Sequence, residues 1–291
     1  PDDPSSTVAT ETQTIQFFDE ENGEWFNHSK KVYTNTYDDM DRYKTQTIVS
    51  YGYDQDADSW EEGLTETIEY LEYNEFDKVV KQKSTTTGNY TTADGTSISD
   101  VVYKQEITEF EYDKYQRHTQ RNVQSQEYGR PWEYTETSYV YDDDSRKDRV
   151  LEESTKVYIP KSSLSDSNMF TLGIDAFDYS DTVNNSQLKS YKVTKNESFD
   201  DLNNVLEKTV TTYDITDTSK AIQQDSVQTT YNLYNQMAHQ KITTELAKTS
   251  NGELTDGDNM SFSTENFYEY DLADRMIGKT EIKIGNGVGT Q

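Results

Sequence analysis

The chain of 291 residues contains no cysteine, which excludes disulfide bonds, thiolate catalysis and cysteine-based zinc or iron–sulfur sites. It has only four prolines, and none of them interrupts a repeated segment, as expected for continuous β-sheet. Hydrophobic residues are also scarce: they make up 31% of the chain, whereas a typical globular domain has about 45–50%. We therefore expect a folded chain with a thin or discontinuous core rather than one large apolar centre.

Basic residues are few relative to acidic ones, 27 against 55, and the net charge is −28. This charge repels the phosphates of nucleic acids and the surface of an anionic membrane, so neither is an expected partner. The chain also repels itself, and bound divalent cations would relieve that repulsion.

No apolar run approaches the roughly 18 residues that a membrane helix needs, so membrane insertion is not expected. Residues 1–4 lack the basic and apolar layout of a signal peptide; either a signal has been removed or the chain is one piece of a longer protein. Since many bacterial surface proteins omit cysteine, its absence favours an extracellular or cell-surface location.

Tyrosine and threonine dominate what is present: Tyr supplies 23 of the 36 aromatic residues. Segments such as 65–73 alternate with a period of two residues, which is typical of β-strands, and no segment shows the 3.6-residue period of a helix. Turn signals separate the runs at Asn22-Gly23, Thr87-Gly88-Asn89, Asp94-Gly95, Asn251-Gly252 and Asp256-Gly257. The sequence therefore predicts an all-β fold of successive antiparallel hairpins in an elongated or spirally wound sheet.

A motif recurs along these runs: an aromatic residue, Asp or Asn, three variable residues and then Arg or Lys. Four copies keep both the Tyr-Asp pair and the Arg: Tyr37-Asp38 with Arg42, Tyr112-Asp113 with Arg117, Tyr141-Asp142 with Arg146, and Tyr270-Asp271 with Arg275. Looser copies begin at Tyr73, Phe199, Tyr213 and Tyr231, and weaker aromatic–acidic pairs lie between them at Phe18, Tyr53 and Phe177. Counting all of them gives a unit of roughly 16–20 residues, which we interpret as one hairpin with two strands of about six residues each.

The motif makes physical sense as a turn. The Tyr ring can lie across a neighbouring hairpin while its hydroxyl stays in water, and the Asp can accept backbone amides within the turn. The Arg can pair with that carboxylate or a neighbouring one, for about 0–1 kcal/mol where the pair is exposed. Repeated units of this kind are typical of a scaffold rather than of one catalytic constellation.

These Tyr-Asp units resemble the YD repeats of Rhs-type bacterial proteins, toxin-complex shells and teneurins. The resemblance implies a long β-sheet wound as a spiral or shell on a secreted or surface protein, and it implies no catalytic residues. One position departs from the family pattern: the Gly before the Arg is replaced by Asp41, Gln116, Ser145 and Asp274 in the four best copies. Because Gly tolerates a left-handed backbone best, this loss predicts either a changed turn or a distant lineage with a similar hairpin.

The repeat divides the chain into three parts: hairpin repeats over 1–158, an irregular insert or seam over 159–190, and hairpin repeats over 191–291. The middle part is Ser-rich with an isolated apolar patch at 169–174, and a long loop or a short helix are alternatives for it.

Two kinds of ligand site are candidates. Asp54, Asp56 and Asp58 supply oxygen ligands suited to calcium, although a solvated acidic turn explains the same pattern; the cluster Asp142-Asp143-Asp144 with Asp148 is a second such case. Trp25, Trp60 and Trp132 lie near carboxylates and tyrosines and could stack on sugar rings, or they could cover neighbouring hairpins.

The sequence favours a non-enzymatic structural or adhesive surface protein that associates with copies of itself or with another surface protein. A section of a YD-repeat shell around a toxin or other cargo is the alternative, and a carbohydrate-binding module that recognises glycans is another. No phosphate-binding loop, nucleophile elbow or zinc-protease motif is present.

Overall fold

The computed structural model describes residues 9–19, 24–91, 97–128, 130–143, 148–160, 186–247, 254, 260–271 and 275–285. These residues form fifteen β-strands and no helix, which confirms the predicted all-β fold. The strands are β1 Ala9–Asp19, β2 Glu24–Tyr37, β3 Tyr43–Asp54, β4 Ser59–Tyr73, β5 Val79–Thr91, β6 Ser97–Tyr112, β7 His118–Glu127, β8 Glu133–Tyr141, β9 Val150–Pro160, β10 Ser186–Phe199, β11 Val205–Tyr213, β12 Ala221–Tyr231, β13 Met237–Leu246, β14 Met260–Tyr270 and β15 Met276–Gly285.

The strands lie in one antiparallel sheet in the order in which they occur along the chain. Neighbouring strands are therefore consecutive hairpins, with registers such as Val32↔Val49 between β2 and β3 and Val227↔Ile242 between β12 and β13. The strands are 9 to 16 residues long, so the predicted length of about six is wrong. The unit of roughly 16–20 residues is one long strand with its turn, because the Thr- and Tyr-rich alternation continues through each run.

The chain divides into two compact units. The first comprises 1–111, 121–134 and 159–186, and the second comprises 112–120, 135–158 and 187–291.

Both units have little apolar core. Among the described residues, the buried hydrophobic side chains are Trp132 and Tyr134 in the first unit and Val193 and Val227 in the second. More of the buried side chains are polar: Asn35, Thr108 and Gln126 in the first unit, and Thr137, Thr229, Thr244 and Asn266 in the second. The expected thin core is confirmed.

Polar side chains pair across the strands where an apolar layer would be expected. Gln46 donates from Nε2 to Oδ1 of Asn35 at 2.9 Å, and Thr244 donates from Oγ1 to a carboxylate oxygen of Asp225 at 2.6 Å. Such cross-strand pairs contribute roughly 0.2–1 kcal/mol each. Stability is therefore distributed along the sheet.

One predicted turn is wrong: Thr87-Gly88-Asn89 lies inside β5. A Cβ on Gly88 would approach Cδ2 of Leu64 to 2.5 Å, so the glycine serves close packing between neighbouring strands rather than a turn. The other four turn signals lie outside the described residues.

The described part of the predicted insert 159–190 consists of the end of β9 and the start of β10, and its apolar patch at 169–174 lies outside the described residues. The described residues contain no helix long and apolar enough for a membrane span.

Candidate functional site

Seven turns share one closing backbone hydrogen bond, and we call them the ladder turns. Each joins an even-numbered strand to the next odd-numbered one: 38–42, 74–78, 113–117, 142–149, 200–204, 232–236 and 271–275. The preceding strand ends in an aromatic residue in every case: Tyr37, Tyr73, Tyr112, Tyr141, Phe199, Tyr231 and Tyr270. In every turn the first residue donates its backbone N–H to the carbonyl of the last residue, at 2.8 to 3.0 Å.

The side chain of the first residue accepts hydrogen bonds from later residues of the same turn. Asp113 accepts the backbone amides of Tyr115 and Arg117 on Oδ1, at 2.8 and 3.0 Å, and the Nε of Arg117 on Oδ2, at 2.8 Å. Asp38 is bonded in the same way by Met40 and Arg42. The hydrogen bond from the Arg42 side chain is the main cause that lowers the pKa of Asp38.

For Asp113, burial raises the pKa, but the amide and guanidinium of Arg117 outweigh that effect and the pKa is lowered. The carboxylates of these turns are therefore held in the charged form by donors that belong to the turn itself.

In five of the ladder turns, the backbone is left-handed at the fourth residue. The φ angles are 58° at Asp41, 56° at Asp77, 62° at Gln116, 69° at Asn203 and 64° at Asn235. This is the position that Gly occupies in the YD pattern, and Asp41 and Gln116, which stand there in two of the best copies, adopt the left-handed conformation that Gly tolerates most easily. The same residue donates its N–H to the carbonyl of the first one, at 3.0 Å for both Asp41 and Gln116, and the surrounding bonds hold the uncommon conformation.

Arginine connects each of several ladder turns to the next. The guanidinium of Arg42 lies 4.5 Å from the ring centroid of Tyr73, and its Nη1 is 3.3 Å from Asp77 of the following turn. Arg117 repeats this arrangement: it lies 4.5 Å from the ring of Tyr141 and donates to the carbonyl of Asp142 at 3.3 Å. Stacking on an aromatic ring adds a cation–π attraction to the ion pair.

The next turn continues the pattern with a different residue. Arg149 lies 5.0 Å from the ring of Phe199 and donates from Nε to Asn203 at 2.8 Å and from Nη2 to the carbonyl of Asp200 at 3.1 Å. Asn204 then donates to Asn235 of the following turn. The side chain at the closing position therefore points along the sheet to the next turn in chain order.

Arg275 is the exception. Its guanidinium pairs with Asp271 of its own turn at 2.7 Å, and in the described part of the chain it has no aromatic ring beneath it. Its side chain is 79% exposed, whereas those of Arg42 and Arg117 are 24% and 11% exposed. Arg275 therefore differs from Arg42 and Arg117 in its exposure and in its contacts within the described part of the chain.

Three of the four predicted Asp and Arg pairs lie within their own turns: Asp38 with Arg42, Asp113 with Arg117, and Asp271 with Arg275. Arg146 lies outside the described residues, and Arg149 closes that turn because the turn is three residues longer than the others. The sequence contained a signal for Arg149: it is followed by apolar Val150 at the start of a strand, as Arg275 is followed by Met276. The looser copy at Tyr213-Asp214 forms a longer turn between β11 and β12, closed by Asp214 N–H to the carbonyl of Lys220.

Two of the three carboxylates predicted to bind calcium, those of Asp54 and Asp58, accept hydrogen bonds from residues in or beside the turn between β3 and β4. Asp54 accepts the backbone amides of Asp56 and Ala57 at 2.9 and 3.1 Å, and Tyr53 donates its hydroxyl to Asp58. No group of three metal-ligating side chains occurs among the residues that the structure describes. Calcium binding at Asp54, Asp56 and Asp58 stays a prediction, as it does for Asp142, Asp143 and Asp148, whose neighbour Asp144 lies outside the described residues.

The three tryptophans differ in how accessible their rings are to a sugar. Trp132 is buried and cannot stack on a ligand. Trp60 packs against Tyr53 with ring centroids 4.9 Å apart and has the Lys30 ammonium 4.7 Å above it. Trp25 is exposed at the start of β2.

Sequence reasoning missed a cluster of four tyrosines beside the first two ladder turns. Tyr37 and Tyr43 have ring centroids 5.1 Å apart, Tyr43 and Tyr70 5.8 Å, and Tyr70 and Tyr73 6.5 Å. They line an open cleft of about 750 Å³, which is in the size range of ligand sites. Burial is the main cause that raises the pKa of Tyr73 to about 12.

Comparison with known proteins gives a limited result. No family model matches the chain, and no curated protein matches it. A structure of the Tc holotoxin pore of Photorhabdus luminescens is similar over 94% of this chain, with 10% sequence identity and a TM-score of 0.27. The chain spans 15% of the length of that chain. With a TM-score this low, the similarity carries no inference about function.

Proposed function

We propose that this chain is a non-enzymatic structural protein of the extracellular space or cell surface, which associates through its sheet with copies of itself or with other surface proteins. The repeated ladder turn carries this proposal. Asp, Arg and Tyr are side chains that could serve an active site, but here they bind one another in the same way from turn to turn. Each repeat therefore adds length, stability and surface rather than a separate chemistry.

The distribution of apolar side chains supports the same function. Few of the described ones are buried, and many large ones are exposed, such as Phe17 on β1 and Leu71 on β4. Exposed apolar side chains of this kind are typical of surfaces that bind another protein.

Electron microscopy of the purified chain tests the proposal, together with labelling of intact cells by an antibody against it. We expect particles that join to one another and labelling without permeabilisation. Compact separate particles, with and without calcium, combined with labelling only of permeabilised cells, would contradict the proposal.

A wall section of a shell around a toxin or other cargo is the alternative, supported by the resemblance of the ladder turns to YD repeats. A toxic or protease domain contiguous with this chain in the complete gene would favour it. Digestion of the native particle should then spare the enclosed domain while cleaving the same domain expressed alone.

The tyrosine cleft favours glycan binding as a further candidate, because aromatic rings stack on sugar rings and Tyr hydroxyls supply polar contacts. A glycan array tests it with Tyr43→Ala and, as a control, Tyr115→Ala at an exposed ring outside the cleft. Binding that only Tyr43→Ala removes would support this candidate, and an array without binding would eliminate it.

A further inference from the structure

Tyrosine is abundant in this chain, which has 23 tyrosines and no cysteine. A covalent bond between two of its strands therefore cannot be a disulfide. Two tyrosine rings can be joined instead by an oxidative carbon–carbon bond, which requires that the rings lie in contact. The described residues include two pairs of tyrosines in contact on neighbouring strands, one pair in each compact unit.

Tyr191 on β10 and Tyr213 on β11 form the first pair, which we call the β10–β11 pair. Their ring centroids are 4.7 Å apart and the ring planes differ by 24°, so the rings are stacked. The adjacent residues Lys192 and Thr212 are register partners, which places the two tyrosines directly opposite each other on antiparallel strands. Opposite side chains leave a sheet in the same direction, so corresponding carbons of the two rings face each other.

Tyr37 and Tyr43 form the second pair, which we call the β2–β3 pair. They are register partners at the end of β2 and the start of β3, with ring centroids 5.1 Å apart and planes that differ by 31°. Burial and then a hydrogen bond with Tyr43 raise the pKa of Tyr37, so the hydroxyl groups are neighbours as well as the rings.

The rings of both pairs are accessible from solution. Tyr43 is 43% exposed, and the other three rings are half-buried. A small oxidant can therefore reach at least one face or edge of each ring without unfolding of the sheet.

We propose that the β10–β11 pair and the β2–β3 pair are sites of oxidative cross-linking, in which the two rings of each pair become joined as dityrosine. The oxidant is hydrogen peroxide, which a haem peroxidase uses in one-electron steps. Each phenol gives up one electron and its hydroxyl proton, and the two radicals form a bond between the ring carbons beside their oxygens. Each of these carbons then passes its hydrogen to its own oxygen as a proton. Peroxide takes up the two electrons and two protons and leaves as two waters, so the chain loses two hydrogen atoms for each bond.

This inference goes beyond the proposed function, and it suits a sheet with little apolar core. The bond in the β10–β11 pair would close the chain segment between 191 and 213 and restrict the unfolded chain, as a disulfide does. Small extracellular domains with insufficient cores depend on covalent bonds of this kind.

Oxidation of the purified chain at micromolar concentration by hydrogen peroxide and a haem peroxidase tests the inference. Trypsin cleaves between the members of each pair, after Lys208 and after Arg42, so mass spectrometry of a cross-linked tryptic peptide identifies the bond. We expect chains that are lighter by two hydrogen atoms for each bond, that show dityrosine fluorescence and that stay monomeric in a denaturing gel.

Single variants assign the two bonds. Tyr213→Phe should remove the cross-linked peptide of the β10–β11 pair and leave that of the β2–β3 pair, and Tyr37→Phe should do the reverse. Phenylalanine keeps the ring but has no hydroxyl group from which the radical forms. Tyr234 is the matched control, because it is 78% exposed and no second tyrosine ring lies against it in the described part of the chain. Products that contain Tyr234 should be at least about tenfold less abundant, since rings already in contact react as one molecule.

The urea midpoint measures the effect of the bonds. The oxidised wild type should have a higher midpoint than the unoxidised chain, because each bond restricts the unfolded state. The double variant Tyr37→Phe with Tyr213→Phe, oxidised in parallel, should keep its midpoint, which separates the two bonds from oxidation elsewhere, such as that of methionine.

Cross-linking mainly between chains through exposed rings such as Tyr234 would overturn the inference, and so would bonds within the chain that avoid both pairs. A cross-linked wild type without a raised midpoint would overturn it as well. These measurements use the isolated chain, so the location and association of the chain are judged by the separate experiment given for the proposed function.

Discussion

Replacing Arg117, which contacts two ladder turns, should lower the stability of the fold far more than replacing Arg275, which contacts one. Arg117 is 11% exposed; it forms an ion pair with Asp113 at 2.7 Å, contacts the ring of Tyr141 and donates to Asp142. Arg275 is 79% exposed and pairs with Asp271 of its own turn, and among the described residues it contacts no further turn. The two residues therefore occupy the same place in the motif and differ in what surrounds them.

The magnitudes follow from these contacts. Hydrogen bonds to charged groups contribute about 1.5–3 kcal/mol, and a cation–π contact contributes about 0.5–2 kcal/mol. We expect Arg117→Ala to lower the free energy of unfolding by about 2–4 kcal/mol, because it also leaves Asp113 with one partner fewer. An exposed ion pair is worth about 0–1 kcal/mol, which is the expected cost of Arg275→Ala.

Urea denaturation followed by far-UV circular dichroism measures both costs. A double-mutant cycle of Arg117→Ala with Tyr141→Leu then isolates the stacking, for which we expect a coupling of about 0.5–1 kcal/mol. Equal costs for Arg117→Ala and Arg275→Ala, or a coupling near zero, would refute the view that contacts between turns stabilise the sheet.

Three further predictions concern the turns and the charge. Gln116→Gly should raise the free energy of unfolding by about 0.5–1 kcal/mol in urea denaturation. Glycine adopts the left-handed backbone of this position at a cost about 1–2 kcal/mol lower than a residue with a side chain, and the greater flexibility of the unfolded glycine variant offsets part of that gain. Lys114→Gly in the same turn should lower the free energy of unfolding, and a stabilising Lys114→Gly with a destabilising Gln116→Gly would contradict backbone strain at Gln116. The pKa values of Asp38 and Asp113 are lowered in the folded state, so the stability that they contribute is present above the unfolded pKa of about 3.9 and is lost as the pH falls through the lower folded values. A urea midpoint that stays constant from about pH 5 down to pH 2 would be inconsistent with this linkage. Raising the salt concentration from about 0.01 M to 0.5 M at pH 7 should raise the urea midpoint, because salt screens the repulsion of a net charge of −28; a lower midpoint would mean that screened attractions dominate.

The sheet and most of the ladder could be predicted from the sequence, because each depends on local signals. Period-two alternation identified strands such as 65–73, which lies within β4, and Tyr-Asp pairs such as Tyr112-Asp113 identified turns. A turn closed by its own first and last residues needs no information from distant parts of the chain.

What the sequence did not predict depends on neighbouring strands. Gly88 resembles a turn signal, but its role is set by Leu64 on the adjacent strand. Trp132 resembles an exposed platform residue, but neighbouring side chains bury it. The contact of Arg42 with Tyr73 joins residues 31 positions apart, and only the strand order places them side by side.

The motif of the ladder turns has two roles, closing each turn and connecting it to the next one. Differences among the seven turns show which residues serve each role. Asn74 and Asn232 replace the first Asp, yet both still accept two backbone amides, at 2.9 and 3.0 Å. In the second of these turns Asn232 donates from Nδ2 to Gln236, so even the side-chain bond survives with its direction reversed. The acceptor oxygen at the first position therefore defines the turn, and charge is not required. Charge and stacking contribute where an arginine closes one turn and also contacts the following turn. Arg117 therefore connects two ladder turns through Tyr141 and Asp142, and the formation of a single turn does not require an arginine.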